Sequence, residues 1–333
     1  MASQLTMSDR RLSLERMAEA ARRIDPVFLG SPQFVSDSLS AALGCRLTLK
    51  IETLNPIRCF KGRGADFLAG HLADQGETRP LVCASAGNFG QALAYACRKR
   101  GLALTVFAAT QANPLKVDRM RTLSAQVRLT GEDFDAAKDE ARRFAADRNW
   151  LLIEDGLVPE ISEGAGTIGA ELLARGDAFD AVLVPLGNGA LINGIALWFA
   201  SASPSTRIIG VCSQGAPAMA TAFRAGPGRR LETARADTIA DGIAVRVPIA
   251  EAVADMHGVV DDVLLVDDAG IVEAMRLLYR HQGLVVEPAA AVGLAALRMA
   301  GQAFAGKSVA TIVTGSNITP AQAHHWLCEE KTR

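Results

Sequence analysis

Short runs of valine, isoleucine and leucine alternate along the chain with longer segments in which apolar residues return every three or four positions. The short runs, at residues 46–51, 81–84, 103–108, 126–129, 151–154, 181–185, 207–212, 263–266 and 308–313, read as strands. Between most of them the period is helical. In residues 133–148, Phe134, Ala137, Ala141, Phe144 and Ala145 share one face, with aspartate, lysine and arginine on the other. This alternation predicts an α/β fold with mostly parallel sheets, because parallel strands need crossovers that helices supply. Two open twisted sheets are expected, with flanking helices and a cleft between domains. A small domain covers residues 55–150; residues 1–54 and 151–333 form a large one.

Three segments test that pattern. Residues 181–200 carry no charge over a length that could span a bilayer. Pro185, Gly187, Asn188, Gly189, Asn193 and Gly194 interrupt them, so a buried strand, a tight turn and a buried helix are predicted instead. Residues 226–237, GPGRRLETARAD, read as a long loop, and residues 1–24 as an ordinary helix without the apolar core of a signal peptide.

Composition narrows the function. At 333 residues the chain exceeds a usual single domain, and 35 basic against 36 acidic side chains leave a net charge of -1. Nothing in that balance points to nucleic acid. Six cysteines contain no CxxC pair, which suits a reducing cytoplasm.

Ligands in open α/β sheets bind beyond the carboxyl ends of strands, and four post-strand loops are unusual. NPIRCFKGRGADF (55–67) sets Lys61 between Phe60 and Gly62. Apolar surface there favours a neutral, nucleophilic amine, although most lysines in such a place are simply solvated. SAGNFGQ (85–91) offers small side chains and free N–H groups at a helix start, fit for a carboxylate or for an ordinary helix cap. PLGNGALINGIA (185–196) is a glycine turn whose Gly187, Asn188, Gly189, Ala190 and Leu191 could point N–H groups at a phosphate. It fits neither a Walker loop nor the dinucleotide G-x-G-x-x-G spacing. TGSN (314–317) places Thr314 where a hydroxyl could meet a bound ring. An amine, a carboxylate cradle, a phosphate cradle and a ring partner together suit pyridoxal 5'-phosphate.

With these motifs in view, the chain resembles the threonine/serine dehydratase and serine racemase branch of the fold-type II pyridoxal-phosphate enzymes, whose fold is tryptophan synthase β-like. The resemblance spans residues 22–317 and includes EGAGTIGAELL (163–173), TIADGIAV (238–245) and VVEPAAAVGLAAL (285–297) as well. It implies that Lys61 bonds the cofactor, with Phe60 beside the ring, Asn88 at the phenolic oxygen, Gly187 to Leu191 at the phosphate and Thr314 at the ring nitrogen. Ser85, Ala86, Gly87, Asn88 and Phe89 would hold the substrate carboxylate. The implied reaction is β-elimination from a serine- or threonine-type hydroxyamino acid: Lys61 takes the α-proton, the β-hydroxyl leaves, and a 2-oxo acid and ammonia result. A cytoplasmic homodimer acting on a small amino acid is the family expectation, with neither nucleic acid nor membrane as partner.

Several positions depart from the family pattern. Ala86 stands where serine racemase has its second acid/base serine, so racemisation is not expected. Phe89 replaces a histidine, which either admits a bulkier side chain, as in 3-phenylserine, or is drift at a tolerant position. Cys212 lies where some relatives have a metal-binding glutamate, so no metal is expected. Arg333 follows TGSN closely, so an appended regulatory domain of the kind found in biosynthetic threonine dehydratases is not expected. Cys59 and Arg58, beside Lys61, keep no assigned role. The rival readings are β-replacement, racemisation, a nicotinamide oxidoreductase using the turn at Gly187, and a pyridoxal-phosphate binder without turnover.

Overall fold

The computed structural model describes residues 10–85, 87–229 and 231–328. Among them ten strands form two sheets: β1 (Gln33–Val35), β2 (Arg46–Ile51), β3 (Leu81–Ala84), β4 (Leu104–Ala108), β5 (Gln126–Leu129), β6 (Leu151–Leu152), β7 (Ala181–Pro185), β8 (Arg207–Ser213), β9 (Asp262–Val266) and β10 (Ser308–Val313). The larger sheet has the order β1-β2-β10-β7-β8-β9 and the smaller β5-β4-β3-β6. All pairings are parallel except β1 with β2. The α/β expectation therefore holds, and every predicted strand is present. Only β1 is added; its three residues are too few to show a period.

The small sheet closes on β6, which pairs with β3 at Leu81 and Val82. Strand β6 is shorter than the predicted 151–154, which leaves Glu154 and Asp155 in the following loop. The uncharged stretch after residue 181 is strand β7, a turn and the helix Ala190–Ala202, as its proline and glycines predict. No helix among the described residues is long and apolar enough to cross a membrane. Residues 226–229 and 231–237 contain neither helix nor strand. The first helix runs Leu14–Arg23, with Ser13 capping it; residues 1–9 of the expected helix lie outside the described residues.

Three helices hold the two sheets in register. Gly62–Asp74 packs on Pro159–Leu173, which packs on Ala190–Ala202. Their motif glycines permit the close approach: a Cβ on Gly64 would strike the Ile161 carbonyl, and one on Gly164 would lie 2.6 Å from Gly64 Cα. Behind the lysine stretch, Arg63 is fully buried and forks onto Glu52 at 2.8 and 2.9 Å. It also reaches Glu171 at 2.7 and 2.9 Å, and Lys50 joins from the other side, 2.5 Å from Glu171. Burial alone would lower the Arg63 guanidinium, but the Glu52 and Glu171 carboxylates outweigh it and raise it further above its usual value. A buried charge is tolerated only when paired in this way.

Candidate active site

Because the strands other than β1 are parallel, the carboxyl ends of β2 and β7 in one sheet and of β3, β4 and β6 in the other deliver their loops to a common cleft of about 740 Å³, and the loop after β10 reaches an adjoining hollow. All four loops singled out by sequence contribute to it or to the hollow at its deeper end. That hollow is lined by Phe60, Lys61, Asn88, Asp155, Gly187 through Leu191, Glu287 and Thr314, among others. Ala86 lies outside the described residues.

Lys61 precedes the helix Gly62–Asp74, its amine 5.2 Å from the Phe60 ring centre and 5.7 Å from that of Phe89. The stretch before it is held by a short antiparallel ribbon. The Ser316 N–H donates to the Arg58 carbonyl and the Phe60 N–H to the Thr314 carbonyl, each at 3.0 Å, with a bridge between Cys59 and Gly315. These bonds bring the first and fourth loops side by side. Arg58 takes a positive φ of 55° to make the turn, and its Nε donates to Ser316 Oγ at 3.0 Å, so this side chain ties down the ribbon.

The second loop is pinned from within. Ser85 Oγ accepts from the Gly87 and Gly90 N–H groups at 3.0 and 2.8 Å, which is the cap that sequence alone could not separate from a binding site. Asn88 Nδ2 donates to Glu287 at 2.6 Å, and Asn88 Oδ1 accepts from Asn317 Nδ2 at 2.8 Å. In the third loop Gly189 caps the helix Ala190–Ala202 with φ 94°, a conformation glycine adopts without strain. The first N–H groups of that helix have no partner within it, and Gly189, Ala190 and Leu191 line the hollow.

Four charged residues that sequence reading passed over complete the site. Asp155 accepts from the Lys61 amine at 2.5 Å. Glu287 is buried, and one of its oxygens has no hydrogen-bond partner; burial pushes its carboxyl above the usual range, although Lys116 stands 3.8 Å away. Lys116 is buried too, its stem against Gly87, and its amine pairs with Asp241 at 2.6 Å. Burial would lower the Lys116 ammonium; Glu287 and Asp241 prevail and hold it above its usual value. Glu287 and Asp241 sit inside VVEPAAAVGLAAL and TIADGIAV, two motifs quoted above without a residue role. Lys116 and Asp155 carried no motif, though Asp155 follows an apolar run and the post-strand rule reaches it.

The donor set fits a phosphorylated aromatic aldehyde: an amine, N–H groups at a helix start, a buried hydroxyl at Thr314 and an unpartnered buried carboxylate oxygen on Glu287 converge on one hollow. A comparison with known families decides between such ligands. The profile described as "Pyridoxal-phosphate dependent enzyme" matches residues 24–315.

This chain belongs to the pyridoxal-phosphate-dependent enzymes. Its cofactor is therefore pyridoxal phosphate, and the nicotinamide alternative falls away. Among the family's members it is similar to the L-threonine ammonia-lyase of Thermotoga maritima, with 33% identity over 92% of this chain and 76% of that protein. It is 31% identical to the β-hydroxyaspartate dehydratase of Paracoccus denitrificans, over 91% of this chain and 96% of that one. Of solved structures in this pyridoxal-phosphate family, maize serine racemase superposes with a TM-score of 0.87 at 28% identity, covering 94% of this chain and 96% of that chain. These matches bear out the fold-type II architecture expected from the motifs.

Proposed function

We propose that the chain dehydrates and deaminates a β-hydroxy-α-amino acid, giving a 2-oxo acid and ammonia. The observation that carries this reading is Lys61 at the floor of the cleft, beside the hollow and 2.5 Å from a carboxylate. Relatives named for threonine, β-hydroxyaspartate and serine support the substrate class. Bound through Lys61, the cofactor supplies an electron sink for the charge left at Cα. Ser85 and the N–H groups of Asn88 and Phe89 receive the substrate carboxylate, on a loop whose Gly87 N–H is taken by Ser85 Oγ. Once neutral and free, the Lys61 amine would take the Cα proton, with the Phe60 and Phe89 rings 5.2 and 5.7 Å from it as apolar neighbours.

Asn88 keeps one amide hydrogen for the cofactor's phenolic oxygen, because Glu287 and Asn317 fix its plane. The N–H groups of Gly187, Asn188, Gly189, Ala190 and Leu191 hold the phosphate. Thr314 gives the ring nitrogen a neutral partner, so negative charge spreads less far into the ring and prompt loss of the β-substituent is favoured over transamination. Phe89, Phe134, Val245 and Ile249 line the cleft and give it apolar wall, which leaves room for a side chain as large as that of 3-phenylserine. The setting we propose is a cytoplasmic homodimer.

Borohydride reduction of the yellow protein followed by peptide mapping tests the assignment. The expected label is on Lys61; a label on another lysine overturns it. A panel of serine, threonine, 3-phenylserine and 3-hydroxyaspartate, scored for 2-oxo acid, tests the reaction, and its absence with all of them would refute the proposal.

A further inference from the structure

Asp155 is nine-tenths buried, lines both the cleft and the deeper hollow, and points a carboxylate at the reacting amine. Its Oδ2 takes Lys61 at 2.5 Å and Asn188 Nδ2 at 3.4 Å, while its Oδ1 is buried without any partner. The neighbouring Glu154 also lines the cleft but is consumed by Arg142, at 2.5 and 2.9 Å. When Lys61 acts as a base it is a neutral amine, so Asp155 then faces the substrate without its cation.

Of the other cations in the cleft only the exposed Arg235 has no ion pair among the described residues. Five basic and six acidic side chains line the cleft, Lys61 and Asp155 included. Lys116 is held by Asp241 at 2.6 Å, Lys138 by Asp135 at 3.0 Å and Arg246 by Asp135 at 3.1 Å. A group one hydrogen bond from the amine that works on Cα is within reach of what Cβ carries.

We propose that Asp155 determines specificity at the β-position: its carboxylate accepts a hydrogen bond from the β-hydroxyl and rejects a substrate that carries a second carboxylate there. This rests on the dehydratase reading above and deepens it, selecting neutral hydroxyamino acids over 3-hydroxyaspartate.

The holoenzyme and its Asp155→Asn variant, matched in circular dichroism and cofactor content, provide the test. Asp155→Ala serves in the same role if the asparagine variant does not fold. On the wild type, kcat/KM for 3-hydroxyaspartate should be at least tenfold below that for the best neutral substrate, and the variant should narrow this ratio at least tenfold. Malonate, an unreactive dicarboxylate titrated through the cofactor's absorbance, should bind the variant at least tenfold more tightly. Failure of either arm, or a wild-type preference for 3-hydroxyaspartate, overturns the proposal. If no amino acid yields an oxo acid, the dehydratase reading fails, and the malonate arm alone then decides the role of Asp155.

Discussion

Cys59 sits two positions before Lys61 and is wholly buried, in an apolar cluster with Ile57 and Ala190 rather than on the lining of the cleft. Burial, and after it the nearby Glu287 carboxylate, push its thiol up to about 12, so it carries almost no thiolate at neutral pH. Cys45, Cys83, Cys97 and Cys212 are buried as well, and only Cys328 is exposed. Iodoacetamide on the folded protein should therefore modify Cys328 alone within minutes, read by mass spectrometry; rapid labelling of Cys59 would show that the lysine stretch opens. At this scale the sequence singled out Lys61, Asn88 and Thr314 through motif and chemistry together, and the structure brings all three to one hollow. It could not assign Asp155 or Glu287, because their importance comes from which side chain lies opposite, and a linear reading leaves that partner unknown until the loops are placed. Arg58 is similar: its work is to bond Ser316, across most of the chain.

The helix that follows Lys61 is anchored by ions rather than by a cap: Lys61 makes no side-chain cap bond, and Arg63 in its first turn binds Glu52 and Glu171. Burial would raise the Glu171 carboxyl, yet Arg63 and Lys50 bring it down from 4.5 to about 2. A depressed folded value means that the fold favours the charged form. That stabilisation is complete above about 4.5 and is lost as the pH falls toward about 2. Urea midpoints measured between those limits should fall steeply with acid in the wild type, and Glu171→Gln should flatten the slope while lowering the midpoint at neutral pH. Strands and helices were legible in the sequence wherever the apolar period ran for a full turn or more. The short β1 and the early end of β6 were not, since two or three residues hold no period and their pairing is decided by neighbours far along the chain.

Across the whole molecule, the pair from Lys116 to Asp241 crosses the cleft from the small-sheet side to the large-sheet side. Lys116→Met should leave the buried Glu287 without its cation and cost on the order of 2 kcal/mol, a modest figure because Asp241 is nearly half exposed. Differential scanning calorimetry would register it as a lower melting temperature, and an unchanged transition would show that the two sides are held together elsewhere. The two-part plan was legible from the alternation of strand and helix. The charge pairs across the cleft were not, since they depend on how the halves meet.

Strand β10, near the end of the chain, lies between β2 and β7 in the larger sheet, and the loop after it carries Thr314. As the polypeptide leaves the ribosome, β2 and β7 emerge long before the strand that separates them. Until then each has an open edge able to accept a wrong partner. Thr314, which we propose as the ring partner, arrives with that strand, and the Glu287 contact to Asn88 only shortly before it. Closure of the larger sheet and readiness for the cofactor thus wait on the same late strand, and pyridoxal phosphate meets a site that is complete only once β10 is in place.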